Sequence, residues 1–155
     1  MSKKSFQRAL YFVARLYWRI RRPVTLGSRV LLVRGGRVLL VRLSYVDGWY
    51  LPGGGVNAGE SFREGALREL REECAIEALE AKFSGLYFNS KEGKADHVAL
   101  YLVTESRDIP GAKPDSEIDE VAFFDPKELP AQTSPATRRR IGEFFSGTSV
   151  LDGTW

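Results

Sequence analysis

The chain has 155 residues, one cysteine and a formal net charge of +3, which fits one domain with a real core and excludes an internal disulfide. Cys74 fits a reducing compartment, and Arg15, Arg19, Arg21 and Arg22 interrupt the N-terminal apolar stretch, which excludes a spanning helix or secretory leader there; the expected location is cytoplasmic. Charge is unevenly divided, because residues 1–46 hold 11 basic and no acidic groups while the rest holds 12 basic against 20 acidic.

Residues 5–20 place Phe6, Leu10, Val13, Leu16, Tyr17 and Ile20 at the spacing of an amphipathic helix, which Pro23 closes. Tyr11, Phe12 and Trp18 widen its apolar surface. The preferred reading is packing on the domain or on a second copy of the chain, as a homodimer. Contact with a membrane surface is the second reading, since basic amphipathic helices with Trp and Phe also suit an interface. Val24–Val33 and Arg37–Leu43 are β-branched and leucine-rich around Arg34-Gly35-Gly36, a hairpin signal. Ser44–Gly48 forms a loop placed to overhang a substrate.

Next comes Trp49-Tyr50-Leu51-Pro52-Gly53-Gly54-Gly55, a glycine turn where backbone can approach a ligand closely. Ser61 and Glu64 make a capping box, so a helix starts there with Phe62, Ala66, Leu67 and Leu70 able to face a core. Glu69, Glu72 and Glu73 fall at i, i+3 and i+4, on one face of that helix. On its own such a face reads as solvated. Beside a glycine turn, clustered carboxylates suit a hard cation such as Mg²⁺, completed by substrate phosphates.

Glu77–Phe88 and His97–Thr104 read as two strands joined by Asn89–Lys94. His97, the single histidine, is given a structural role, having no carboxylate partner in sequence. Residues 105–118 read as a loop, Glu117–Phe124 as the approach to and body of a short strand, and Asp125–Pro130 as a capped turn of helix. Ser134–Phe145 reads as an amphipathic helix, followed by a loose tail to Trp155.

Gly54, then Glu60, then Arg68-Glu69-Leu70-Arg71-Glu72-Glu73 and Ile76 match the Nudix box, G-x5-E-x7-R-E-U-x-E-E-x-G-U, at every charged position. The chain therefore resembles the Nudix hydrolases over about residues 24–130. One position departs: Ala75 stands where the box has glycine, a left-handed helix end that alanine adopts at a cost of about 1 kcal/mol. The resemblance implies an α/β fold, an α/β/α sandwich with a mixed central sheet. With the N-terminal amphipathic helix, which lies outside the resemblance, the expected division is 1–22 (that helix), 23–147 (the hydrolase domain) and 148–155 (the tail).

The resemblance also implies Mg²⁺-dependent hydrolysis, with Mn²⁺ able to substitute, of a nucleoside diphosphate linked to another group or of a nucleoside triphosphate. By matching positions, Gly53, Glu69, Glu72, Glu73 and Glu117 (with Glu120 next) are the metal ligands, Glu69 the general base, Arg68 a residue that orients a glutamate, and Glu60 a residue acting through water. Arg42, Trp49, Gly54 and Gly55 are the candidates for substrate contact. Two other readings are a pyrophosphohydrolase of RNA 5′ ends, suggested by the basic N-terminal half, and a nucleotide sensor without chemistry, which loss of box glutamates would favour. None is lost, and no stable nucleic-acid complex is expected. The stretch 77–109 holds no proline, against the ADP-ribose marker, and Tyr87 is misplaced for the dinucleoside polyphosphate marker; neither selects a substrate.

Overall fold

Strand β1 (Val24–Arg34) turns into β2 (Arg37–Leu43) at Gly35 and Gly36, whose φ angles of 57° and 75° are the left-handed pair a two-residue type I′ turn needs. The computed structural model describes residue 13 and residues 24–90, 95–148 and 150–155. The helix expected at 5–20 lies outside these, except for Val13, which is exposed.

Beyond the turn the two strands splay. Near it Val33 faces Val38, but further along Ser28 and Val30 donate their N–H groups to the carbonyls of Gly54 and Pro52, at 2.9 Å each. Val56 N–H closes the ladder on Leu26 O, while Tyr50 and Val41 exchange both backbone bonds on the β2 side. The segment 50–56 is therefore wedged between β1 and β2, and the glycine turn is held from both sides.

The box helix α1 (Phe62–Cys74) starts at Ser61 with both halves of the capping box formed and ends at Ala75, which has φ 55° and ψ 35°. The left-handed end expected at this alanine is present, with its N–H bonded to Arg71 O at 3.0 Å. Then come β3 (Ile76–Ala78), β4 (Lys82–Asn89), β5 (Ala95–Val103), β6 (Ser106–Asp108), β7 (Ile118–Phe124), helix α2 (Pro135–Phe145) and β8 (Asp152–Thr154). The main sheet runs β7-β2-β1-β5-β4-β8, with β1–β5 and β4–β8 parallel and the other pairs antiparallel. The expected mixed sheet is what forms.

Alternation along the strands fills both faces. Val30, Leu32, Leu39, Val41 and Ala99 pack with Ala66 and Leu70 of α1, while Leu31, Val38, Leu40, Tyr87 and Leu100 pack with Ile141 of α2. This is a sandwich of helix, sheet and helix. No helix among the described residues is long and apolar enough to cross a membrane.

Four local readings change. The strand expected over Glu77–Phe88 breaks at 79–81, where Leu79 N–H bonds Glu105 O, and its first part pairs with β6 in a separate two-stranded sheet. That puts a strand inside the loop expected at 105–118; three residues are too few for a period to be visible. Asp125–Pro130 is the capped turn expected but does not reach a helix: Glu128 N–H closes it on Asp125 O at 3.0 Å, and Lys127 N–H bonds Asp125 Oδ1 at 2.8 Å. The C-terminal tail is not loose: β8 joins β4, and Trp155 packs edge-on against Tyr87.

Candidate active site

The site is assembled where α1 faces the wedged glycine turn. Gly53 has φ 134°, and a Cβ there would lie 2.1 Å from Ser28 O, so glycine is required twice over, by conformation and by space. Its N–H donates to Glu73 Oε2 at 2.7 Å. Gly54 lies against Glu69, with a hypothetical Cβ only 2.5 Å from Oε1. The turn thus touches both inner acids of the helix.

Arg68 ties the rest together. Its Nε donates to Glu60 Oε1 at 2.8 Å, Nη1 to Glu69 Oε1 and Glu72 Oε2 at 2.9 Å each, and Nη2 to Gly55 O at 3.0 Å. Glu60 also accepts from Asn57 N–H. These bonds, Arg68 first, hold Glu60 below the usual carboxylate range. One guanidinium thereby links the glycine turn, the loop before the helix and two of the helix acids.

Burial acts in the opposite direction on the inner pair. It pushes Glu73 up to about 7, against the pull of Arg29, with Glu69 and Glu117 adding to the rise. Glu69 is also raised, by burial first, with Arg68 and Arg29 opposing. Two half-buried carboxylates that are costly to ionise mark a place short of positive charge. Their oxygen-only chemistry suits a hard divalent cation, and on that ground the residues fit Mg²⁺ or Mn²⁺. Glu72 is turned to Arg68, and among the described residues no three acidic, imidazole or thiol groups gather into a ready cage.

The remaining sequence candidates separate. Glu117 is exposed but close enough to act on Glu73 electrostatically, whereas Glu120 pairs with Arg42 at 2.9 Å. Arg42 also lies over the Trp49 ring, 5.8 Å from its centroid. Trp49 itself is a core residue, 8 % exposed and edge-on to Phe124, so it serves as packing beneath Arg42 rather than as an open stacking platform.

Two residues enter that the sequence did not single out. Arg29 of β1 is the cation that opposes the rise at both Glu69 and Glu73. Tyr45, in the loop expected to overhang the site, is pushed up to about 12 by burial and then by Glu117, with Arg29 opposing. Arg29 is the one charged residue within Val24–Val33, and that was the available signal for it. Tyr45 had only its place in that loop.

The profile described as NUDIX domain matches residues 24–144. A Bacillus subtilis (strain 168) protein provisionally named 8-oxo-dGTP diphosphatase is 29 % identical over 125 residues, covering 81 % of this chain and 82 % of its own. Among solved structures, a MutT protein from Methanosarcina mazei Go1 superposes with a TM-score of 0.68 at 26 % identity, over 82 % of this chain and 96 % of its own. A MutT hydrolase from Burkholderia pseudomallei gives a TM-score of 0.68 at 24 % identity, over 77 % and 96 %, a likeness of fold.

Proposed function

The chain belongs to the Nudix hydrolase family, and from that premise we propose that it is a Mg²⁺-dependent enzyme that cleaves the diphosphate linkage of a nucleoside triphosphate or of a nucleoside diphosphate joined to another group. The observation that carries this reading is the position of Glu69 and Glu73 against the Gly53–Gly54 turn, with Arg68 fixing Glu69 from the side.

When bound, the cation supplies charge neutralisation for the diphosphate and makes phosphorus more open to attack. The residues that would hold it are Glu73, whose Oε2 accepts from Gly53 N–H, together with Glu69, Glu72, the Gly53 carbonyl and Glu117. Arg68 occupies Glu69 Oε1, which leaves Oε2 to take the proton of an attacking water, the role of general base. Glu60 keeps the Arg68 guanidinium in plane by accepting at both of its oxygens. Arg29 lies near enough to Glu69 and Glu73 to act on both electrostatically, which makes it the cation proposed to meet substrate phosphate.

The test is a hydrolysis panel with Mg²⁺ or Mn²⁺ over ordinary and 8-oxo nucleoside triphosphates, ADP-ribose, nucleotide sugars, dinucleoside polyphosphates and triphosphorylated RNA. Nucleotide hydrolysis that stops in excess chelator, and that falls about 10²- to 10⁴-fold in Glu69→Gln, is the expected result. Full activity with chelator present would refute the cation requirement. Preference for the RNA would replace the small-nucleotide reading.

A further inference from the structure

Helix α1 covers only part of its face of the sheet. It packs over Val30, Leu32, Ala99 and Val103, while the start of β1 and the apolar side chains of β4 on that face stay open. There Leu26 pairs with His97 and His97 with Phe88, Leu86 pairs with Ala99, and Phe83 pairs with Tyr101. Val24, Leu26, Phe83, Leu86 and Phe88 thus form one apolar band across three neighbouring strands, with exposures from 37 % at Leu86 to 69 % at Val24. The Phe88 ring lies 5.5 Å from the His97 ring. No Asp, Glu, Lys or Arg stands at a position of that band.

Single exposed apolar residues are ordinary, but a contiguous patch calls for cover. The chain's own start is at hand, because residues 1–23 run directly into Val24. Among them only Val13 is described, and it is 63 % exposed. In sequence Val13 is the middle of the stripe Phe6, Leu10, Val13, Tyr17 and Ile20, while Arg8, Arg15 and Arg19 fall on the other side of the helical spacing. One chain thus holds two open apolar surfaces, joined by Arg21-Arg22-Pro23. Three residues reach about 10 Å, roughly the diameter of a helix. A helix over 5–20 would be about 24 Å long, enough to cross three strands set about 4.8 Å apart.

We propose that residues 5–20 form an amphipathic helix that docks on this band of the same chain, with the stripe against the sheet and the arginines toward solvent. A lipid surface would bury the stripe yet leave the sheet face in water. A second copy would answer both surfaces, but the three-residue link gives the contact within one chain the higher effective concentration. The band is separate from the candidate active site, where Glu69 and Glu73 face Gly54 and Gly53. It does not depend on the hydrolytic reading.

The experiment places a benzophenone amino acid at Val13 in the full chain and maps the photo-cross-links by peptide mass spectrometry. Cross-links to peptides that carry Leu26, Leu86 or Phe88, in a species of monomer mass, are the expected result. Leu26→Asp and Phe88→Asp, each at an exposed position, put a charge under the stripe and should each cut the yield by about tenfold or more. The two lie on different strands, so one keeps the test decisive where the other does not fold. Cross-links that join two copies would assign the face to a second chain and overturn the proposal. Cross-links to lipid alone, in vesicles of phosphatidylglycerol and phosphatidylcholine, would assign the stripe to a membrane surface and overturn it too. A yield that neither substitution lowers would place the helix elsewhere, with the same result.

Discussion

Gly53 and Gly54 are adjacent, yet replacing each with alanine should have different consequences. At Gly53 a Cβ would meet the rigid Ser28 carbonyl and a φ of 134°, so Gly53→Ala should lower the melting temperature sharply. At Gly54 the nearest atoms a Cβ would meet are those of the Glu69 carboxylate, which can turn away at the cost of its Arg68 bond. Gly54→Ala should therefore lower the melting temperature much less than Gly53→Ala, while activity falls about 100-fold through a displaced carboxylate. Thermal melts and kcat on the same two variants check the pair. Glu73 gives a pH test in metal-free protein. Its folded pKa of about 7 lies above the ordinary 4.5, so its protonated form favours the fold; that stability is full below 4.5 and is lost as pH rises toward 7 and beyond. Metal-free protein should therefore melt lower at pH 8 than at pH 5, and Glu73→Gln should flatten this slope. Melts showing the same slope in both proteins would refute the assignment.

Helix α1 is specified at both ends. Ser61→Ala removes a side-chain acceptor for Glu64 N–H and should cost about 1 kcal/mol in denaturant unfolding. Ala75 holds left-handed angles that glycine adopts freely, so Ala75→Gly should be neutral or stabilise by up to about 1 kcal/mol. This helix, the β1–β2 hairpin and α2 are readable in sequence because caps, paired glycines and long apolar periods are local signals. The β3–β6 pair and β8 were not readable, since three-residue strands owe their existence to partners distant in the chain. The same divide runs through the candidate site. Glu60, Arg68, Glu69, Glu72 and Glu73 follow from spacing along one helix and its lead-in. Spacing cannot tell that Arg68 draws Glu72 aside, that Trp49 turns into the core, or that Arg29 arrives from β1.

At the scale of the whole molecule, the six-stranded sheet is completed by the last residues of the chain. Ending the chain at residue 148 removes β8, the Trp155 contact with Tyr87 and the Val150 carbonyl that Tyr87 uses. It also leaves β4 as an open edge. Such a chain should lose about 1–3 kcal/mol in denaturant unfolding and aggregate more readily on heating, read by light scattering. The central pairing has a consequence in time rather than in strength. β1 lies parallel to β5, with Thr25 bonded to Asp96 across 71 positions of chain, so the middle of the sheet cannot zip from a neighbouring turn. The search for that distant partner slows folding, because ordering a long loop precedes the contacts that reward it. During synthesis the hairpin and α1 must wait, half-covered, until Val103 has left the ribosome. A nascent chain halted at residue 90 should stay protease-sensitive, while release of the full chain should bring protection in a single late step.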